Sequence, residues 1–142
     1  GGGRSIQDYV APSGDVVAAF MATMGAKSLA TAEEARNNGL YSRYFLLHGL
    51  IMALTEALAD MVRASIVTEW GLGAGGKAYA PGMPAFPAIE AHEQFFALLA
   101  PERIGISHTE AWQLLPECST SGLILHHPDA EYFSVRPEGA PA

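Results

Sequence analysis

From residue 40 to residue 70 the chain repeats apolar side chains at three- and four-residue steps. Leu47, Leu50, Ile51, Leu54, Leu58, Met61, Val62 and Ile66 form the row, and Glu56, Asp60, Arg63 and Glu69 lie off it. That period predicts one long helix with an apolar face, roughly 45 Å in length at about 1.5 Å per residue. The row reads as the inward face, which makes this helix the spine of the domain. Trp70 is expected to be buried at its end, and the glycines of residues 71–76 stop it by supplying a left-handed cap.

The flanking segments follow different rules. Residues 77–87 hold Pro81, Pro84 and Pro87, which remove backbone donors and fix φ, so an extended, turned loop is predicted there. Residues 88–100 read as a second amphipathic helix with Ile89, Phe95, Phe96 and Leu99 inward. Thr31 and Glu34 have the spacing of a capping box and predict a helix start. Residues 16–24 are apolar without a decisive period, and the pattern alone leaves helix and buried strand open. Residues 120–125 and 131–135 read as strands, with a turn over 127–130. The sum is an α+β domain, a long helix and shorter helices packed on a twisted antiparallel sheet.

Composition narrows the class. The 142 residues fit a single domain, 1–142. With 49% hydrophobic and 16% charged residues the chain is expected to fold into a globule. Its 8 basic residues against 15 acidic ones give a net charge of −7. No basic cluster is available to a phosphate backbone, so a nucleic-acid partner is not expected. The longest apolar run, residues 44–54, is about half of the ~20 residues a bilayer span needs, and predicts a core helix rather than a membrane segment. Cys118 is the single cysteine, which excludes an internal disulfide and suits a reducing, cytoplasmic setting. It reads as buried filler.

Candidate chemistry is sparse. The glycine run 71–76 follows a helix rather than a strand and so lacks the geometry of a phosphate cradle. His126 and His127 would point to opposite faces of a strand, and no zinc spacing surrounds them. His92 and His108 read as surface or rim residues, and His48 as a satisfied core histidine. No nucleophile elbow accompanies Ser119, Thr120 or Ser121. The plausible small-molecule surface is the proline-held loop within 71–87, with Tyr79, Tyr132 and Phe133. Such a loop offers unsatisfied backbone groups, and aromatic rings offer a flat face to a purine or a π face to a sulfonium.

An ordered series of short segments then points to a family. Residues 5–12 (Ser-Ile-Gln-Asp-Tyr-Val-Ala-Pro), 16–25, 57–60 with 69–71, and 103–106 come in turn. Thr109-Glu110, Ser121-Gly122, His127-Pro128 and Tyr132-Phe133 complete it. In that order they resemble the reactivation domain, which binds S-adenosylmethionine, at the C-terminal end of cobalamin-dependent methionine synthase. The resemblance favours strand for residues 16–24. It implies S-adenosylmethionine as ligand and a cobalamin-binding partner, whether a domain or a separate protein. It also implies a flavodoxin-like electron donor; no membrane partner is expected, because the apolar run is too short for a span.

By position, the resemblance places the ligand on Lys77, Ala78, Ala80, Gly82, Met83, Tyr132 and Phe133. The implied work is positioning the sulfonium methyl so that inactive cob(II)alamin is reductively methylated, with no acid, base or nucleophile from this chain. Three residues depart from the family loop, of form Arg-x-x-Pro-Gly-Tyr-Pro. Ala78 stands for Arg, Met83 for Tyr, and Phe86 for a usual Cys. Lys77 would replace the Arg only as a point charge. The family's upstream acidic residue has no counterpart, which implies a partial domain or a shortened relative. The alternative is a docking module that keeps the fold and has lost the ligand.

Overall fold

A computed structural model describes residues 6–72, 75–127 and 130. Ile6–Tyr9 forms a 3-10 turn, followed by strand β1 (Ala18–Thr23), helix α1 (Ala26–Asn37) and helix α2 (Tyr41–Glu69). Strand β2 (Lys77–Tyr79) leads into the proline loop. Helix α3 (His92–Leu99), a 3-10 turn Pro101–Ile104, strands β3 (Ser107–His108) and β4 (Leu114–Leu115), and strand β5 (Ser119–Leu125) complete the order. The expected strand over 131–135 lies outside the described residues, as do Tyr132 and Phe133.

The main sheet has the order β1-β5-β2, antiparallel throughout, and β3 and β4 make a separate two-stranded ribbon. β5 pairs Phe20 with Gly122 on one edge and Tyr79 with Leu123 on the other. Side chains alternate along a strand, so its two faces carry different residues. Leu123 and Leu125 share one face with Tyr79, where Tyr9, Ala85 and Ala130 close a cluster. Cys118, Thr120, Gly122 and Ile124 occupy the other face, beneath α2. Cys118 is fully buried with Ala32 of α1 and Ile51 of α2. It is buried filler, as its surroundings in sequence suggested.

The helical span of α2 matches the apolar period, and Gly71 ends it at φ 65°. Its orientation differs from the expected one. Ile51 and Thr55 are the buried residues, and Tyr44, Leu47 and Met52 pack beside Ile51. Leu50, Leu54 and Met61, expected inward, are exposed, and Leu46 and Met61 stay 76% and 69% accessible. The helix is apolar on nearly every side, so the period locates the helix and leaves its inward face undetermined. By length and composition α2 would suffice to cross a bilayer, and 11% of its most apolar stretch is buried against the rest of the chain. The expected core helix is therefore packed on one side only.

Other local expectations shift for identifiable reasons. Thr31 does not cap a helix: α1 begins at Ala26, and the Thr31 hydroxyl donates back to the Lys27 carbonyl four residues earlier. Trp70 is 36% exposed rather than buried. His48 lies half-buried at a rim, 3.4 Å from Glu117, rather than in the core. The second amphipathic stretch divides into a 3-10 turn, Ile89–Ala91, and α3, with Phe95 buried as expected.

Gly122 fixes how the sheet meets α2. A Cβ built there would lie 2.4 Å from Phe20 Cε1 and 2.7 Å from Cζ. The Phe20 ring therefore lies across β5 where any side chain would stand. Gly122→Ala should cost about 1–3 kcal/mol in urea unfolding. The penalty should shrink in a Phe20→Leu background, because the overlap is with the ring.

Candidate functional site

β2 hides inside a segment whose prolines and glycines suggested only loop. Three residues suffice for it because β5 already offers an unpaired edge: Lys77 faces Leu125, Ala78 faces Ile124 and Tyr79 faces Leu123. The chain then peels away. Ala80 N–H lies 3.2 Å from the Met83 sulfur, Met83 N–H donates to the Ala80 carbonyl, and Gly82 N–H donates to the Phe86 carbonyl at 2.8 Å. These contacts tie residues 80–86 into a tight turn, with Gly82 at φ 90°.

Where β2 departs, two cavities open on either side of the exposed edge of β5. One, of about 310 Å³, lies between the turn and the flank of α2. Ala78, Ala80 and Met83 line it from the loop side, Phe20 and Thr120 from the sheet, and Glu56, Asp60 and Arg63 from the helix. The other, of about 450 Å³, is bordered by Ala80, Pro81, Ile89, His92, Leu114 and Glu117 among others. Both touch Ala80, Thr120 and Ser121, so they form one groove around the strand edge. Each lies within the size range of small-ligand sites.

The structure thus brings Ala78, Ala80 and Met83 to one wall. Gly82 sits at the exposed tip of the turn. Lys77 shares the face of Tyr79, opposite to that of Ala78. Tyr132 and Phe133 lie outside the described residues.

Sequence reasoning missed the helix wall. Glu56, Asp60 and Arg63 recur at steps of four and three, which is a second stripe on α2. Lying off the apolar row, they read as solvated. Asp60 Oδ1 lies 3.5 Å from Arg63 Nε, and Arg63 Nη1 donates to the Gly76 carbonyl at 3.3 Å. Gly76 is the residue before β2, and a Cβ there would stand 2.2 Å from Val67 of α2. That close approach brings the start of β2 within reach of the Arg63 guanidinium.

His92 also departs from expectation: it is buried rather than at the surface. Nδ1 lies 2.9 Å from the Trp112 carbonyl and Nε2 lies 2.8 Å from the Ser121 hydroxyl. A carbonyl only accepts, so Nδ1 carries the proton, and neutral Nε2 accepts from Ser121. Burial lowers the His92 pKa below its ordinary 6.5, opposed by the Trp112 carbonyl and assisted by the His108 charge. His108 itself is exposed and stacks on Trp112 at 4.1 Å between ring centroids.

Comparison with known proteins places this arrangement. The fold is that of a crystal structure of the MetH reactivation domain bound to AdoHcy, with a TM-score of 0.81 at 24% identity. The match covers 91% of this chain and 46% of that one. Residues 2–138 match the family model of the vitamin B12 dependent methionine synthase activation domain, and the chain belongs to that family. Methionine synthase of Mycobacterium tuberculosis (strain ATCC 25618 / H37Rv) is 36% identical over 141 residues, and that of Mycobacterium leprae (strain TN) is 34% identical. Each alignment covers 85% of this chain and 12% of the relative, so the chain spans about an eighth of their length.

The lowered His92 pKa sets a direction for stability. The unfolded chain takes up the histidine proton first as pH falls, so folding weakens from about pH 6.5 downward. Urea unfolding at pH 7.5 and pH 5.5 should show that loss. His92→Gln, which keeps a partner for Ser121, should reduce the difference between the two pH values.

Proposed function

We propose that this chain is the S-adenosylmethionine-binding reactivation module of a cobalamin-dependent methionine synthase. Family membership supports that reading, and the groove where β2 leaves β5 is the observation that carries it. Ala78, Ala80 and Met83 form one wall, at the positions the family loop uses. A methyl-donating sulfonium ligand carries an adenine, a permanent positive charge and an amino-acid end. The groove answers each with a compatible surface. Met83, Phe20 and the alanines are apolar, and Glu56 and Asp60 bring negative charge to the cation.

On this reading the corrinoid, held by a separate domain or protein, accepts the methyl group after a flavodoxin-like donor supplies one electron. S-adenosylhomocysteine is left behind. The part played by this chain is positional. The turn over 80–86 holds the ligand's body while its methyl projects outward, which converts an encounter into an oriented contact. No acid, base or nucleophile from this chain is required. A cytoplasmic setting accompanies that role.

A second reading is a docking module that retains the fold without the ligand. Ala78 and Met83, standing where the family has Arg and Tyr, favour it. Calorimetric titration with S-adenosylmethionine separates the two. Saturable binding is expected, and Ala80→Trp should abolish it without lowering the melting temperature, because Ala80 borders both cavities. A folded chain that takes up no ligand, alone or with a cob(II)alamin-loaded partner domain, would support docking instead.

A further inference from the structure

We infer that Arg63 of α2 receives the α-carboxylate of the ligand, from the helix rather than from the loop. This rests on the S-adenosylmethionine reading above and names the group that recognises the amino-acid end.

The loop offers no cation on the groove side. Ala78 and Ala80 face the cavity with methyl groups. Lys77 is displaced by one residue, and in a strand one residue exchanges the faces. It therefore stands on the side of Tyr79 and Leu125, across the sheet from the cavity.

Arg63 lies on the correct side. Its side chain is 31% exposed and is held at two points: Nη1 on the Gly76 carbonyl at 3.3 Å and Nε 3.5 Å from Asp60. Nη2 has no partner among the described residues. A guanidinium held in this way is a fork oriented in advance, and its planar donors suit a carboxylate better than an ammonium does.

The neighbouring charges select the ligand class. Among the described lining residues Arg63 is the cation, and Glu56 and Asp60 are the anions. An anion alone, such as a phosphate, would meet two carboxylates. A cation alone would meet the guanidinium. A zwitterion satisfies both signs: its carboxylate on Arg63, its α-ammonium on Asp60 or Glu56. Phe20 and Met83 supply the apolar contact for the thioether-like segment between them, and an aromatic face also attracts a sulfonium. The α2 cavity therefore takes the methionyl end, and the adjoining cavity lies open to the nucleoside.

Three ligands and three chains test this. The full chain, Arg63→Ala and Arg63→Lys would be titrated with S-adenosylmethionine, S-adenosylhomocysteine and 5′-methylthioadenosine, which lacks the amino-acid end. Circular dichroism would check folding. Arg63→Ala should lose roughly 10- to 100-fold in affinity for the first two ligands, as expected for a lost charge-assisted pair. Arg63→Lys should lose less, and 5′-methylthioadenosine should bind all three chains alike. A fourth chain, Lys77→Ala, added as a control, should show every affinity unchanged. Undiminished S-adenosylmethionine binding by Arg63→Ala would overturn the role of Arg63 while the binding reading stands. Equal losses for all three ligands would overturn it too, because Arg63 would then be holding the loop through Gly76. Failure of the unaltered chain to bind S-adenosylmethionine would overturn both.

Discussion

Strand β5 lies between β1, which pairs along one edge, and β2, which pairs with residues 123–125 of the other, and it is covered on both faces. Every residue in it is therefore committed to one surface. A slip of one position would carry the Leu123 and Leu125 side chains beneath α2 and leave Cys118 facing the opposite helix. The junction at its start anchors that register. The Cys118 carbonyl accepts from Met24 N–H at 3.0 Å, from the Thr23 hydroxyl at 3.1 Å and from Thr55 at 3.4 Å. One carbonyl thus joins β5, the end of β1 and the middle of α2. Small residues complete the arrangement. Gly122 makes room for the Phe20 ring, and Ser121 turns its hydroxyl to the neutral imidazole of His92.

The groove follows from the same strand. β2 pairs with β5 only as far as Tyr79 opposite Leu123, while β1 continues to Ser119. The difference leaves one edge of residues 119–122 open, and the proline loop arches away from it. A strand that ended in step with its neighbour would have closed the space. The groove is thus a mismatch of strand lengths, roofed on one side by a helix whose polar flank turns toward it.

Much of this was legible in the sequence, and the remainder failed for physical reasons. The extent of α2 and the strand expected over 120–125 follow from period and punctuation, because glycine and the run of apolar residues act locally. The inward face of α2 does not, because Leu50 and Ile51 are equally apolar and tertiary contact alone separates them. The burial of His92 depends on Ser121 and on the Trp112 carbonyl, 29 and 20 residues distant, and no local pattern announces such partners. β2 is three residues within a glycine- and proline-rich stretch, too short for a period to register. Positions 78, 80 and 83, which line the cavity, were singled out through family resemblance. The helix side of the cavity was not, since Glu56, Asp60 and Arg63 have the spacing of an ordinary solvated flank.

The outward row of α2 has a geometry of its own. Leu46, Leu50, Leu54, Ala57, Met61, Ala64 and Thr68 stand on the side away from the sheet, and all are exposed. The row returns to the same bearing at Leu46, Ala57 and Thr68, a repeat of eleven residues. A seven-residue seam winds to the left about a helix, whereas an eleven-residue one averages about 3.67 residues per turn and winds gently to the right. The ridge therefore turns slowly to the right, and it tapers from leucines at its beginning toward alanine and threonine at its end. Any element laid along it would stay in contact by coiling slightly to the right, and would approach the helix axis more closely beside Ala64 than beside Leu46.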